Sequence, residues 1–595
     1  MDTTVSTAVN AWLSDPAILD MDKQEIRDLQ ADGNEKELTD RFYRALAFGT
    51  GGLRGVIGAG TNRMNVYTVG AAAQGMASYI SKQGAAAKMA GVAIACDCRR
   101  KSDIFAQRVA CVMAGNGITA HLFDTLRPTP ELSFAIRHLG CTAGVVVTAS
   151  HNPPEYNGFK AYWTDGGQVV PPHDEAIIEE VRSVGGFGNV WAADFDEARS
   201  NGMIKIIGRD VDEAFLDLVQ ESCLNPTACR EHGAALKIVY TSLHGTGGVL
   251  IPEALKRRGF QNVIEVPEQA EPDGEFPTVK SPNPEEAAAL NMGIELARRE
   301  GADLVIGTDP DGDRVGIAVR RPDGAFELVS GNRIGALLTH YICEQLTKKG
   351  EFPENAVMIT TIVSGDLMKE IARSHGAEVV ETLTGFKWIG QKLYQYDREG
   401  APGRPSKDYI FGAEESYGYM PRAFTRDKDA VTSAAFIAEL AAVAAGEGKG
   451  LYDLLRELFT RFGYYQEGAK SIVMKGKEGA AQIQALMEML RSDPPKAIAG
   501  LPVVSCADFM AGENKDLRSG DVISRYDLPA SNVLIFTLED GTKVIARPSG
   551  TEPKIKFYIL VKEQADDLDK AQERASNKID TIIADLVKRA EGTRS

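Results

Sequence analysis

Three apolar runs in this chain end abruptly in polar loops, and no other feature constrains the fold as much. Gly144-Val145-Val146-Val147 leads into Thr148-Ala149-Ser150-His151-Asn152-Pro153, and Leu304-Val305-Ile306-Gly307 leads to Asp309-Pro310-Asp311-Gly312-Asp313-Arg314. Tyr409-Ile410-Phe411 leads into Gly412-Ala413-Glu414-Glu415-Ser416. Short apolar runs bounded by turn residues read as buried strands. In open α/β sheets ligands bind beyond the carboxyl ends of the strands, so three such loops imply three α/β units facing one shared site. Helical patterns lie between the strands, for example over 285–299 and 431–445, and residues 8–47 also look helical. The end of the chain differs: a strand at 543–546, a loop at 547–554 and a strand at 555–562 precede a long charged helix. That order predicts a smaller α+β domain with its own loop.

At 595 residues the chain is too long for one core. A prior of roughly 150 residues per domain gives about four domains. The expected division is 1–205 with the N-terminal helices and the Ser150 loop, 206–325 with the aspartate loop, 326–462 with the Glu414 loop, and 463–595 as the α+β domain. The net charge of −17 argues against nucleic acid or an anionic membrane as partner, since both require a basic surface. An anionic small substrate is compatible with it if arginines and lysines are concentrated locally. The N-terminus lacks the basic start and apolar core of a signal peptide. The most apolar helical segment, 431–445, is short for a membrane span and carries Glu439. The eight cysteines are scattered, and only Cys96 and Cys98 lie close together. Without a second pair nearby they read as structural thiols, which points to the cytoplasm.

Asp309, Asp311 and Asp313 alternate, which aims their carboxylates at one point. Carboxylate oxygens suit hard cations such as Mg²⁺, Mn²⁺ or Ca²⁺, and three of them leave positions free for a phosphate oxygen or a water. The competing reading is an Asx-rich surface turn. A calcium loop would need a Glu six residues after Gly312, where the chain has Ala318. Arg314 adds a cationic fork suited to phosphate. Ser150 lies in a loop too polar and proline-bound for a strand or helix, and a phosphoryl group on its oxygen would supply the anionic ligand the aspartates leave room for. A serine-hydrolase reading of Ser150-His151 lacks the G-x-S-x-G elbow.

Arg547-Pro548-Ser549-Gly550-Thr551-Glu552-Pro553-Lys554 reads as a second oxyanion loop. It offers a bidentate arginine, the Ser549 and Thr551 hydroxyls, and Gly550 for close backbone approach. Its alternative is a plain hairpin turn. Glu414, Glu415 and Ser416 suit sugar hydroxyls; adjacent carboxylates on one loop rarely straddle a scissile glycosidic bond. Thr384-Gly385-Phe386-Lys387-Trp388 offers a hydroxyl, a glycine, a cation and an aromatic plate, or else a helix start with a buried Trp.

Taken together, and with Phe48-Gly49-Thr50-Gly51-Gly52-Leu53-Arg54-Gly55 ahead of them, these loops resemble the α-D-phosphohexomutase family. The likeness is to its phosphoglucomutase/phosphomannomutase branch, which includes phosphopentomutase-like members. It covers nearly the whole chain, with the motifs in order. The resemblance implies a four-domain, heart-shaped α/β protein: three related α/β domains with mixed sheets and a C-terminal α+β domain around a central cleft. It implies that Ser150 is carried as phosphoserine and that one Mg²⁺ is held by Ser150, Asp309, Asp311 and Asp313. It further implies interconversion of hexose 1-phosphate and hexose 6-phosphate, with glucose favoured, through a hexose 1,6-bisphosphate.

In this reading Arg54 and Arg314 contact phosphate oxygens near the nucleophile, and His151 matches a phosphoserine-loop histidine. Lys160 matches a lysine given the general-base role, and Lys428 a third-domain lysine of phosphoglucomutases. Thr384, Gly385, Lys387, Glu414 and Ser416 would hold the sugar; Arg547, Ser549, Gly550 and Thr551 would hold its remote phosphate. One departure stands out: Tyr417 follows Ser416 where bacterial dual-specificity members have histidine. Its proton role then falls to Lys428 or Lys160, either of which needs a depressed pKa. Mannose or pentose phosphates as substrates, a metal-dependent phosphatase and a non-enzymatic phosphosugar binder are the alternatives. The assembly is a monomer or dimer.

Overall fold

The computed structural model describes residues 2–592 except Thr50, Pro402, Lys475 and 550–553. Its strands form four sheets. In the first, the order is Gly52–Val56, Tyr156–Trp163, Ala143–Val147, Val92–Cys96, Ala120–Phe123, Ile204–Ile207. The first two junctions are antiparallel and the rest parallel. The second runs Phe326–Val329, Val315–Arg320, Leu304–Thr308, Ile238–Thr241, Val263–Glu265, again antiparallel at one side and parallel beyond. The third runs Glu378–Thr382, Ala356–Thr361, Asp408–Glu414, Gly418–Met420, and only its last junction is antiparallel.

One device recurs in all three. A buried parallel strand (Ala143–Val147, Leu304–Thr308 or Asp408–Glu414) passes into a loop and returns as an antiparallel neighbour (Tyr156–Trp163, Val315–Arg320 or Gly418–Met420). Each turn is the polar loop that the sequence singles out. The strands that enter it are mostly apolar because sheet neighbours and helices cover both faces; Asp408–Glu414 is the exception, half-buried at Asp408 and Tyr409 and ending in Glu414. Ala143–Val147 and Leu304–Thr308 are buried at every residue.

The fourth sheet is antiparallel at every recorded junction, with Tyr464–Val473, Lys554–Glu563 and Lys543–Pro548 side by side and the helix Leu568–Gly592 packed on them. This is the expected α+β unit. The helical stretch at 8–47 resolves into Thr3–Ser14, Asp20–Ala31 and Glu35–Phe42, joined around a small cluster of Val9, Trp12, Ile26, Leu38 and Phe42. The helix expected over 285–299 runs Ala287–Glu300, which frees Glu285 for an ion pair described below. The four-domain division remains our proposal. The cut at 205 falls within strand Ile204–Ile207 of the first sheet, and that at 325 falls just ahead of Phe326–Val329 of the second.

Helix Ala430–Gly446 is buried along almost its whole length and is capped by Asp429, which accepts from Thr432 N at 2.8 Å. Its Glu439 is fully partnered inside the core by Arg258, by the Tyr341 hydroxyl at 2.6 Å, and by the backbone N–H groups of Leu224 and Asn225. A buried charge is tolerable only with such pairing. Among the described residues no single helix is long and apolar enough to cross a membrane.

Candidate active site

The first two loops meet. Ser150 Oγ donates to Asp309 Oδ2 at 2.7 Å across 159 positions of sequence. Ser150 takes a left-handed backbone (φ +52°), unusual for a residue with a side chain and a conformation that costs of order 1–3 kcal/mol and persists only where its surroundings enforce it. The turn projects the hydroxyl off the end of the strand toward the aspartates. His151 Nδ1 lies 3.2 Å from the same oxygen. Burial, then Arg314 and Arg54, push the imidazole pKa well below its usual value, so the ring is neutral. Arg54 is exposed on strand Gly52–Val56 and donates to Asn152 Oδ1 at 3.2 Å, inside the serine loop.

Asp309, Asp311 and Asp313 are all buried, and one carboxylate oxygen from each lies within 4.8 Å of the others. The loop holds them from behind. Asp309 Oδ1 accepts from the N–H groups of Asp313 and Arg314 at 3.1 and 2.9 Å. Thr129, at the start of helix Thr129–His138, donates its hydroxyl to Asp311 Oδ2 at 3.1 Å. Asp311 Oδ1 and Asp313 Oδ1 have no hydrogen-bond partner although buried. Orphaned carboxylate oxygens converging on one point fit a hard divalent cation, and the serine hydroxyl sits beside them.

Two lysines are the counter-charges of this cluster. Lys160 Nζ donates to Asp311 Oδ2 at 2.7 Å and to Asp313 Oδ2 at 3.3 Å, and Lys428 Nζ lies 3.1 Å from Asp313 Oδ2. Among the described residues Asp311 and Asp313 thus have lysine partners and Asp309 has none. Asp309, the one without a lysine, has its pKa raised well above normal by burial and then by Asp311 and Asp313. Asp311 and Asp313 are lowered despite burial, chiefly by the lysines. The expectation of a depressed lysine pKa is corrected in this arrangement. Burial opposes the charge of Lys160, but Asp311 and Asp313 more than offset it, and Asp313, Asp427 and Glu414 do the same for Lys428. Both pKa values are therefore raised.

Arg314 forms a close ion pair with Glu285; its Nε is 3.9 Å from Asp313 Oδ1. The third loop closes on the second, since Val315 N donates to Tyr417 O at 3.0 Å and Arg314 bridges to Gly418. Glu414 is buried and accepts from Gly385 N at 2.8 Å, which ties the two sugar-loop motifs together; burial pushes its pKa up to about 7. Gly385 needs its glycine, with φ +116° at the start of helix Phe386–Glu399. The Thr384 hydroxyl oxygen is buried without a hydrogen-bond partner, and Ser416 is half-buried. Lys387 stands 4.8 Å over the Trp388 ring and 3.7 Å from Asp174 of the first unit.

Arg547 lies one residue before the end of the strand Lys543–Pro548 and approaches the Tyr558 hydroxyl at 3.5 Å; Ser549 N donates to Lys554 O at 2.8 Å. Gly550 and Thr551 lie outside the described residues.

Sequence reasoning missed Glu285, Thr129 and Asp427. Asp427 accepts from the Tyr162 hydroxyl and Gln168 Nε2, both at 2.7 Å, and lies 3.6 Å from Lys428 Nζ. Its place beside Lys428 in Arg426-Asp427-Lys428-Asp429 was the available signal; nothing in the chain advertised Glu285 or Thr129.

With the geometry in hand, comparison with known proteins is informative. Three models of phosphoglucomutase/phosphomannomutase alpha/beta/alpha domains match in order: domain I over 45–185, domain II over 213–324 and domain III over 330–462. A phosphoglucomutase of Staphylococcus aureus (strain MRSA252) is 38% identical over 528 residues, 88% of this chain and 91% of that one. The chain belongs to the phosphoglucomutase/phosphomannomutase family. A phosphoglucomutase of Staphylococcus saprophyticus is 35% identical over 559 residues, covering 94% of this chain and 98% of its own. Among solved structures, a putative phosphomannomutase from Thermus thermophilus matches with TM-score 0.67 at 21% identity, covering 92% of this chain and 99% of its own. The open form of a Paramecium phosphoglucomutase, pp63/parafusin, gives 0.65 at 15% identity over 92% and 95%. Both share the fold. As a family member the chain is a phosphosugar mutase, an isomerase that moves a phosphoryl group within its substrate.

Proposed function

We propose that the chain interconverts glucose 1-phosphate and glucose 6-phosphate through phosphorylated Ser150 and a glucose 1,6-bisphosphate. The observation that carries this reading is Ser150 Oγ held 2.7 Å from Asp309 at the rim of a buried three-carboxylate cluster. A hydroxyl so placed suits a phosphoryl carrier, because the phosphoryl group it bears adjoins a locus suited to a hard cation. The glucose preference rests on the 35–38% identical relatives bearing the name phosphoglucomutase.

Asp309, Asp311 and Asp313, with an oxygen on Ser150, would hold one Mg²⁺, which offsets negative charge on the transferring phosphoryl group. In the transfer, the bond from phosphorus to Ser150 Oγ breaks as a sugar hydroxyl forms the new one, and that hydroxyl's proton must leave. Lys160 and Lys428 are the groups at hand. With a cation on the three aspartates, Asp311 and Asp313, the main charges that raise Lys160, would be offset and burial would lower it, whereas Lys428 would keep Asp427 and Glu414 beside it. We assign Glu414, Ser416 and Thr384 to sugar hydroxyls, and Lys387 to the same subsite with Gly385. Arg547 with Ser549 takes the phosphate remote from Ser150. The cytoplasm is the proposed location.

Incubation with glucose 1-phosphate, Mg²⁺ and a trace of the 1,6-bisphosphate tests this, beside mannose and ribose 1-phosphates. Glucose 6-phosphate forming fastest, without inorganic phosphate, is the expected result. Stoichiometric release of inorganic phosphate would identify a phosphatase instead, and a faster pentose or mannose reaction would reassign the sugar.

A further inference from the structure

The serine loop is tied down by a side chain that touches neither the Ser150 hydroxyl nor the three clustered aspartates and reaches the loop through its carbonyls. Arg99 follows the end of strand Val92–Cys96, the parallel neighbour of the strand that delivers Ser150. Its side chain is wholly buried. Nη1 donates to the carbonyls of Pro153 at 2.8 Å and Tyr156 at 3.0 Å, and Nη2 donates to those of Ser150 and Asn152. Four terminal N–H groups thus meet four carbonyls of one loop. Buried carbonyls of an irregular loop must find donors, and here a single guanidinium provides them.

Asp97 completes the arrangement from the other side of Ser150. Its Oδ2 is 3.3 Å from Arg99 Nε and accepts from the Thr148 hydroxyl at 2.6 Å, and Thr148 Oγ1 in turn accepts from Ser150 N at 2.8 Å. Asp97 Oδ1 accepts from Ser102 Oγ and Arg99 N. The peptide groups on both sides of Ser150 are therefore fixed by one ion pair. Such over-determination is what a left-handed serine requires. The pair also reads the neighbouring unit: Phe276 of the second unit lies under the guanidinium at 5.0 Å, Arg100 pairs with Glu275, and a Cβ on Gly274 would meet the Cys98 carbonyl at 2.7 Å.

We propose that Arg99, with Asp97, is the positioning residue of the nucleophile loop, holding Ser150 Oγ at the aspartate cluster and registering the loop against the second unit. This rests on the mutase reading of Ser150. A lysine is no substitute, because three donors on one nitrogen cannot reach four carbonyls spread around the loop.

The test compares Arg99→Lys, and Asp97→Asn/Arg99→Met, which removes both buried charges together, with the unaltered full chain and with Ser150→Ala. Amide exchange over 148–153 reports the loop, and kcat and KM for glucose 1-phosphate report its use. In folded variants we expect exchange over the loop to quicken at least about tenfold, kcat to fall about 100-fold, and KM to stay within about threefold, since a misplacement near 1 Å has that effect on rate. A purely structural role would not split kcat from KM in this way. Unchanged loop exchange, near wild-type kcat, or failure of both variants to fold would overturn the inference. Activity persisting in Ser150→Ala would instead overturn the reading on which it rests.

Discussion

Gly418 is the position where a single added methyl group should disable the site from behind. It opens the strand Gly418–Met420, pairs with Glu414, and is crossed by the side chain of Lys428. A Cβ there would stand 2.1 Å from Lys428 Cδ and 2.7 Å from Cγ. Restoring an ordinary contact of about 3.4 Å displaces the lysine by about 1.3 Å. Mid-chain carbons of a side chain only 11% exposed have little free space to take up that shift. The ammonium, now 3.1 Å from Asp313 Oδ2, moves beyond ion-pair distance. Overpacking of this kind costs about 1–3 kcal/mol, which a folded domain survives. Rate is more sensitive, and about 100-fold in kcat is the expected loss for a group moved by 1 Å. The assay is steady-state conversion of glucose 1-phosphate by Gly418→Ala, with Gly188→Ala as control, since a Cβ at Gly188 meets nothing within 4 Å. A folded Gly418→Ala with kcat within about twofold of the unaltered chain would refute the reasoning.

Arg547→Ala should raise KM for the phosphosugar by about 10-fold or more, the worth of one charge-assisted hydrogen bond, while mass spectrometry still finds phosphate on Ser150; an unchanged KM counts against the remote phosphate site. Lys160→Met leaves Asp311 without its partner at 2.7 Å, so in EDTA it should unfold more readily by about 3–5 kcal/mol. Saturating Mg²⁺ should return about 2.7 kcal/mol at 100-fold its Kd; equal denaturation midpoints for variant and unaltered chain in EDTA would contradict that account. Asp429 has its pKa pushed up to about 6 by burial. The folded state therefore binds its proton more tightly than the unfolded one, and stability is lost as pH rises from about 4 to about 6, by about 3 kcal/mol in the limit. Asp429→Asn should lack that loss, so its urea midpoint should gain on the unaltered chain over this window, and parallel curves would refute it.

The three polar loops were legible because each follows a strand whose middle is buried on both faces and therefore apolar, as Val145-Val146-Val147, Leu304-Val305-Ile306 and Ile410-Phe411 show. The antiparallel return after each loop was not legible, since Val315–Arg320 and Gly418–Met420 carry no pairing signal until their partners are known. The aspartates could be aimed at a common point from their alternation alone. That Ser150 reaches Asp309 depends on how two separate sheets are docked, which no local pattern records. Lys160 shows the same limit in electrostatic form: the sequence supplies the lysine, but the sign of its pKa shift depends on Asp311 and Asp313, more than 100 positions away. Glu285, too, became visible only through its pairing with Arg314.

The central claim is that phosphate passes through Ser150. Enzyme labelled with radioactive phosphate and mixed with unlabelled glucose 1-phosphate in a single turnover tests it most directly, with Ser150→Ala run alongside. The account predicts that label leaves the protein for the sugar bisphosphate and that the variant takes up no label and loses activity on the order of a thousandfold or more. Label that stays on the protein, or conversion by Ser150→Ala near the unaltered rate, would contradict it.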